Sequence, residues 1–242
     1  MITAHLLPQL SDNYGWLLVC SQTGFTAVVD PADEEPVAAA IQAHGGRLDM
    51  ILLTHHHGDH VAATDAIRAR FPAPVIGAKA DAHRLPRLDR AVVEGDIITL
   101  GASTARVIDT PGHTIGHIAF YIADSHLLIC GDTLFSLGCG RLLEGTAADM
   151  FASLAKFAAL PGETIVCCAH EYTLSNARFA LHVDPHNAAL PDFAARVTAL
   201  REAGLPTIPS LLSDELEANP FLRAPDVASL ARLREAKNNF RG

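Results

Sequence analysis

Apolar and polar positions alternate with short periods through the first thirty residues. Runs at Ile2 to Leu7, Gly15 to Cys20 and Phe25 to Val29 read as strands of a meander that ends at the turn signal Asp30-Pro31. The period then lengthens. Glu34 to His44 predicts a helix closed by Gly45-Gly46, Leu48 to Leu53 a strand, and Val61 to Phe71 a helix stopped by Pro72. Further strands are predicted at Val75 to Gly77, Asp96 to Leu100, Ala105 to Ile108, Ile118 to Ile122, Leu127 to Cys130 and Thr164 to Cys168, with a helix over Ala147 to Leu160. After Tyr172 the pattern turns helical: Leu174 to Val183, Pro191 to Ala203, Ser213 to Ala218 and Asp226 to Lys237, separated by Pro and Asn. Strands interleaved with helices imply an α/β sandwich of two sheets covered by helices, followed by a small helical appendage.

Composition narrows the function classes. The 242 residues carry a formal charge of −9, which argues against a broad nucleic-acid surface. No apolar run approaches the ~18 residues of a membrane span, and no secretory signal stands at Met1 to Pro8, so a soluble cytoplasmic protein is expected; a monomer is the expected state. Five cysteines without CxxC spacing suggest buried small hydrophobes in a reducing compartment rather than disulfides or a zinc ribbon.

Thr54-His55-His56-His57-Gly58-Asp59-His60 crowds acceptor-capable groups into one loop after an apolar strand. Nothing in packing needs that crowding, and a divalent cation would compensate it. His113, Asp132 and His170 each follow a predicted strand in the same way, so strand ends could gather them into one site. One catalytic zinc uses about three protein ligands, so the seven groups His55, His57, Asp59, His60, His113, Asp132 and His170 suit two ions. The natural partition gives one ion His55, His57 and His113 and the other Asp59, His60 and His170, with Asp132 bridging. His56, His117 and Thr54 are expected to support the ligands rather than join them. Zinc is the expected metal; iron and manganese suit the same donors.

The HxHxDH loop with the later His113, Asp132 and His170 resembles the metallo-β-lactamase superfamily, which implies a four-layer αββα sandwich. Thr110-Pro111-Gly112-His113-Thr114, Gly131-Asp132-Thr133-Leu134-Phe135, Gly138-Cys139-Gly140-Arg141, Glu144-Gly145-Thr146 and His170-Glu171-Tyr172-Thr173 are more specifically similar to the glyoxalase II (hydroxyacylglutathione hydrolase) family. So are Pro209-Ser210, Asn219-Pro220-Phe221-Leu222-Arg223 and the terminal Leu233 to Phe240. The resemblance implies a metal-binding catalytic domain over 1–170, a helical substrate-binding domain over 171–242, and a glutathione thioester as substrate. It implies catalytic roles for Asp59 and Asp132, and substrate contacts from Arg141, Tyr172, Arg234 and Lys237. From Arg223 onward five basic residues face two acidic ones, which suits an anionic substrate independently. Leu143 departs from the family, standing where many relatives carry Tyr, and Arg141 replaces a frequent Lys. The runner-up function is a same-fold iron oxidoreductase such as a glutathione persulfide dioxygenase. An RNA-processing nuclease would need an extended basic face, and a metal-storage module would not need ligand positions left for water.

Overall fold

The computed structural model describes all 242 residues, which divide into two compact units: residues 1–109 with 115–131, and residues 110–114 with 132–242.

The first unit opens on an antiparallel meander of β1 (Ile2–Gln9), β2 (Asn13–Cys20) and β3 (Thr26–Val29), paired Ile2↔Cys20 to Gln9↔Asn13 and Trp16↔Val29 to Val19↔Thr26. Helix α1 (Glu34–Ala43) follows, and the amide of Gly46 returns to the carbonyl of Ile41 to close it. Then come β4 (Met50–Leu52), α2 (Gly58–Val61), α3 (Thr64–Arg70), β5 (Val75–Ala78) and β6 (Arg90–Val92). β3 through β6 pair in parallel, completing a six-stranded mixed sheet in chain order. Val37, Ile41 and Ile67 of the helices pack with Leu17, Val28, Ile51 and Val75 of the sheet and with Leu53 just beyond β4, all fully buried. Burying side chains of this size stabilises by roughly 1.5–3 kcal/mol each before chain entropy is counted. A second, antiparallel run of β7 (Ile97–Leu100), β8 (Ser103–Asp109), β9 (Ile118–Ile122) and β10 (Leu127–Gly131) completes the unit. β7 alternates exposed and buried, so one of its faces meets solvent.

The helix expected over Val61 to Phe71 is broken. The amide of Ala63 bonds the carbonyl of Pro31 instead of continuing the helix, so the chain forms one turn, α2, and restarts as α3. That early turn carries Asp59 and His60.

The second unit contains the loop 110–114, the two-residue strands β11 (Leu134–Phe135) and β12 (Gly138–Cys139), helix α4 (Ala147–Ala158), and β13 (Ile165–Cys168) paired antiparallel with β14 (Ser210–Leu211). Helices α5 (Thr173–Val183), α6 (Leu190–Glu202), α7 (Leu212–Ala218) and α8 (Val227–Asn239) form the helical C-terminal region. α4 starts at a capping box in which Thr146 and Asp149 satisfy each other's amides, and the Thr146 hydroxyl holds the Asp149 carboxyl below its ordinary pKa. Leu137, Ala177, Ala180, Leu190, Phe193, Val197 and Ala218 make the apolar core of this region. No helix is long and apolar enough to cross a membrane.

Candidate metal centre

Each group of candidate ligands lies in the segment that follows a strand. The His-rich loop follows β4, His113 follows β8, Asp132 follows β10, and His170 follows β13.

In the first unit, hydrogen-bonding rules fix which nitrogen each ring offers. Asp30 Oδ1 accepts from the Thr54 amide at 2.8 Å, and its Oδ2 accepts from the Thr54 hydroxyl at 2.6 Å and from His60 Nδ1 at 2.9 Å. With its hydrogen committed to Asp30, the Thr54 hydroxyl can only accept from His55 Nδ1, 3.0 Å away. His55 and His60, when neutral, therefore both carry their lone pair on Nε2. His55 Nε2 lies 3.1 Å from His57 Nδ1, and Asp59 Oδ2 lies 3.8 Å from His60 Nε2. The Asn13 amide donates to Asp59 Oδ2 at 3.0 Å and to the Asp59 carbonyl at 3.1 Å, setting that carboxylate's orientation. Asp30, His55 and His60 also cluster with ligand atoms within 4.8 Å of one another. The hydrogen bonds already directed at both oxygens of Asp30 make it a support.

The middle histidine goes elsewhere: His56 Nδ1 lies 3.0 Å from Asp81 Oδ2, whose other oxygen receives Arg84. His117 is buried and stacks on His55, with centroids 4.8 Å apart and planes 26° apart.

In the second unit, His113 Nδ1 donates to the Arg141 carbonyl at 2.9 Å, which again leaves the lone pair on Nε2. That Nε2 and His170 Nε2 each lie 3.4 Å from Asp132 Oδ2. A buried carboxylate oxygen facing an imidazole lone pair is repulsive unless positive charge sits between them. The donor set thus fits divalent cations: His55, His60 and His113 have Nδ1 tied back and Nε2 presented, and the Asp132 carboxylate lies between two rings. Gly140 gives this half its closeness, since a Cβ there would stand 2.0 Å from the Asp132 carbonyl oxygen and 3.1 Å from His113 Cβ.

The sequence-derived substrate residues also fall in the second unit. Tyr172 stacks on His170 and meets the edge of Phe135. The Arg141 side chain is exposed. Lys237 bonds the Ser175 carbonyl and hydroxyl, both at 2.9 Å, and burial, with Arg234 and Arg141 nearby, pulls its pKa down to about 8. Arg234 is buried; Nη1 donates to the Cys139 carbonyl at 2.7 Å, Nε to Asn238 Oδ1 at 3.1 Å, and the guanidinium lies 5.2 Å from the Phe221 ring centre. Arg234 therefore braces the fold whatever else it does.

Asp30, Asn13 and Asp81 escaped the sequence reading. Asp30 looked like a turn residue before proline, and its φ of +52° is the one local oddity that marks it. Asn13 and Asp81 carry no signal of their own.

Fold and donor set together define a metallo-hydrolase-like scaffold, and a profile described as the metallo-beta-lactamase superfamily matches residues 13–170. A crystal structure of ETHE1 from Myxococcus xanthus aligns with a TM-score of 0.71, covering 100% of this chain and 92% of that one at 23% identity, a likeness of fold. Residues 171–240 match the hydroxyacylglutathione hydrolase C-terminus profile. A hydroxyacylglutathione hydrolase of Acidiphilium cryptum is 56% identical, covering 97% of this chain and 95% of that protein; one from Rhodospirillum rubrum is 54% identical, covering 91% and 86%. The chain belongs to the hydroxyacylglutathione hydrolase family of the metallo-β-lactamase superfamily, and its α/β fold with a helical C-terminal region is the one that membership entails.

Proposed function

We propose that this chain is a thioester hydrolase that cleaves S-(2-hydroxyacyl)glutathione, chiefly S-D-lactoylglutathione, to glutathione and D-lactate, a step in methylglyoxal detoxification. One observation carries the reading: a His and Asp metal-donor set is followed by a segment matching the hydroxyacylglutathione hydrolase C-terminus over 171–240. In this reading residues 1–170 carry the metals and 171–242 meet the glutathione moiety. His55, His57 and His113 hold one divalent ion, Asp59, His60 and His170 the other, and Asp132 is shared. Zinc is the metal proposed, with iron and manganese compatible with the same donors.

Bound ions would supply a water nucleophile at neutral pH and positive charge for the oxyanion that develops on the thioester carbonyl. The residues do the rest. Asp59, held by Asn13, orients the attacking water by accepting its hydrogen. The leaving thiol has an ordinary pKa near ~8.5 and departs as an anion, so no separate acid is needed. Lys237, Arg141 and Arg234 provide the positive charge for the carboxylates of glutathione, and Tyr172 offers a hydroxyl beside His170. The exposed Leu143 offers apolar surface where a tyrosine hydroxyl would otherwise reach the substrate.

The same reading takes the enzyme as a cytoplasmic monomer without nucleic-acid or membrane partners, in keeping with its −9 charge and its buried free cysteines. Cleavage of S-D-lactoylglutathione, followed as free thiol released and paired with metal analysis of the same sample, tests the proposal. Oxygen uptake with glutathione persulfide and no thioester cleavage would replace it with the oxidoreductase reading.

A further inference from the structure

Two buried polar residues of the second unit, Glu215 and Asn219, play no part in the chemistry above. Glu215 on α7 is fully buried, as is Asn219 one turn later. Glu215 Oε2 accepts from the Leu137 amide at 2.8 Å and from Asn219 Nδ2 at 3.0 Å. Asn219 Nδ2 also reaches the carbonyls of Phe135 and Gly138, both at 3.1 Å, so its hydrogens are shared among three acceptors. Asn176 of α5 donates to the Ser136 carbonyl at 3.0 Å, and Arg234 of α8 to the Cys139 carbonyl at 2.7 Å. Three helices therefore grip the backbone of one two-residue hairpin, β11–β12, at every residue from 135 to 139.

The hairpin cannot hold this shape unaided. Its tip residue Leu137 has φ +56°, a left-handed conformation that costs a non-glycine residue on the order of 1–3 kcal/mol and persists only when the surroundings impose it. Glu215 binds the amide of Leu137, and the Leu137 side chain is buried with Ala177, Ala180 and Leu190. Burial raises the Glu215 carboxyl's pKa, opposed by the amide bond from Leu137. A fully buried carboxyl marks the position as one the fold sustains at a cost.

The hairpin's two ends lead to the metal donors. β11 starts two residues after Asp132, and β12 ends two residues before Arg141, whose carbonyl fixes the His113 ring. The Gly140 amide returns to the Thr133 carbonyl at 3.2 Å and closes the loop between those ends.

We infer that Glu215 and Asn219 are positioning residues of the metal centre, acting through the 134–139 hairpin to set Asp132 and the Arg141 carbonyl that orients His113. The inference rests on the ligand assignment proposed above for Asp132 and His113. It assigns α7 a task separate from glutathione recognition.

The test compares Glu215→Ala with Glu215→Gln in the full-length, metal-loaded protein. One Gln oxygen can still accept from both Leu137 and Asn219, so E215Q should stay within about twofold of wild type. E215A should lose metal to a competing chelator roughly tenfold more readily, the lower end of what outer supports of metal ligands contribute, and should lower kcat with KM unchanged. Cobalt-substituted E215A should also show a shifted visible spectrum, a signature that simple loss of stability does not produce. If E215A does not fold, Asn219→Ala carries the same comparison. Folded variants with wild-type chelator resistance and spectrum would overturn the inference, and a rise in KM alone would reassign the cluster to substrate binding. Chelator competition needs no thioester. A wild-type protein that cleaves none would sink the proposed function and leave this comparison intact.

Discussion

Tyr172 lies flat against His170, ring centres 4.7 Å apart and planes 6° apart. In the proposed site the phenol would have two separable roles, a flat surface against the His170 ring and a hydroxyl toward the substrate. Tyr172→Phe keeps the surface and should raise KM by roughly 2–10-fold, the worth of one hydrogen bond, with metal content unchanged. Tyr172→Ala removes both and should lower metal retention as well. Steady-state kinetics with metal analysis separates the roles; a KM in Y172F equal to wild type removes the hydroxyl from the site.

With Lys237 binding the thioester as proposed, substrate binding should be sensitive to pH. Its pKa in the folded protein is lowered from 10.5 to about 8 by burial and by Arg234 and Arg141. As pH climbs through about 8 the free enzyme loses this charge, so KM for an anionic thioester should rise across that interval. Lys237→Arg should flatten the rise, because guanidinium stays charged. The same shift opposes folding below about pH 8, where the ammonium must stay charged in a half-buried place, and that opposition fades as pH approaches 10.5. KM profiles that coincide for wild type and K237R would place Lys237 outside the site.

Arg234 and Lys237 share a helix face yet should behave differently. Arg234→Ala leaves the buried Cys139 carbonyl without its donor and should cost about 1–3 kcal/mol of stability, read as a lower Tm. Lys237→Ala should leave Tm nearly unchanged and act on KM. Equal Tm losses in the two variants would contradict the division of labour.

Asp30 links Thr54 and His60 through one carboxylate. Asp30→Asn keeps the left-handed backbone accessible, since Asn tolerates positive φ, but replaces one acceptor oxygen by a donor group. Metal affinity should fall roughly 10–100-fold, as for other groups that orient ligand histidines. A D30N protein that resists chelator as well as wild type would show that His60 needs no such anchor.

The strands and the groups at their ends were legible because both signals are local. An apolar run followed at once by a polar donor marks His55, His113, Asp132 and His170 without knowledge of their neighbours. Thr54, His56 and His117 could be read as supports, but the partners that give such residues their meaning were not legible, because they lie far along the chain. Asp30 meets Thr54 across 24 positions, His56 meets Asp81 across 25, and Glu215 meets Leu137 across 78. The β11–β12 hairpin was missed for another reason: two-residue strands have no period, and its left-handed tip is a leucine where glycine or asparagine would have announced a turn. The helix expected from Val61 failed at Ala63, a residue with good helical propensity whose amide is claimed by Pro31.

The chain crosses between its two units three times, because residues 110–114 leave the first unit, join the second, and return before the final passage at 131–132. His113 is therefore stitched into its unit from within the other's sequence, with Gly145 bonded back to Gly112 and Ser153 to Pro111. A fragment beginning at residue 132 would lack that histidine, and one ending at 131 would carry it away from its bonding partners. Any cut between residues 114 and 132 therefore parts His113 from the segment that holds its loop in place.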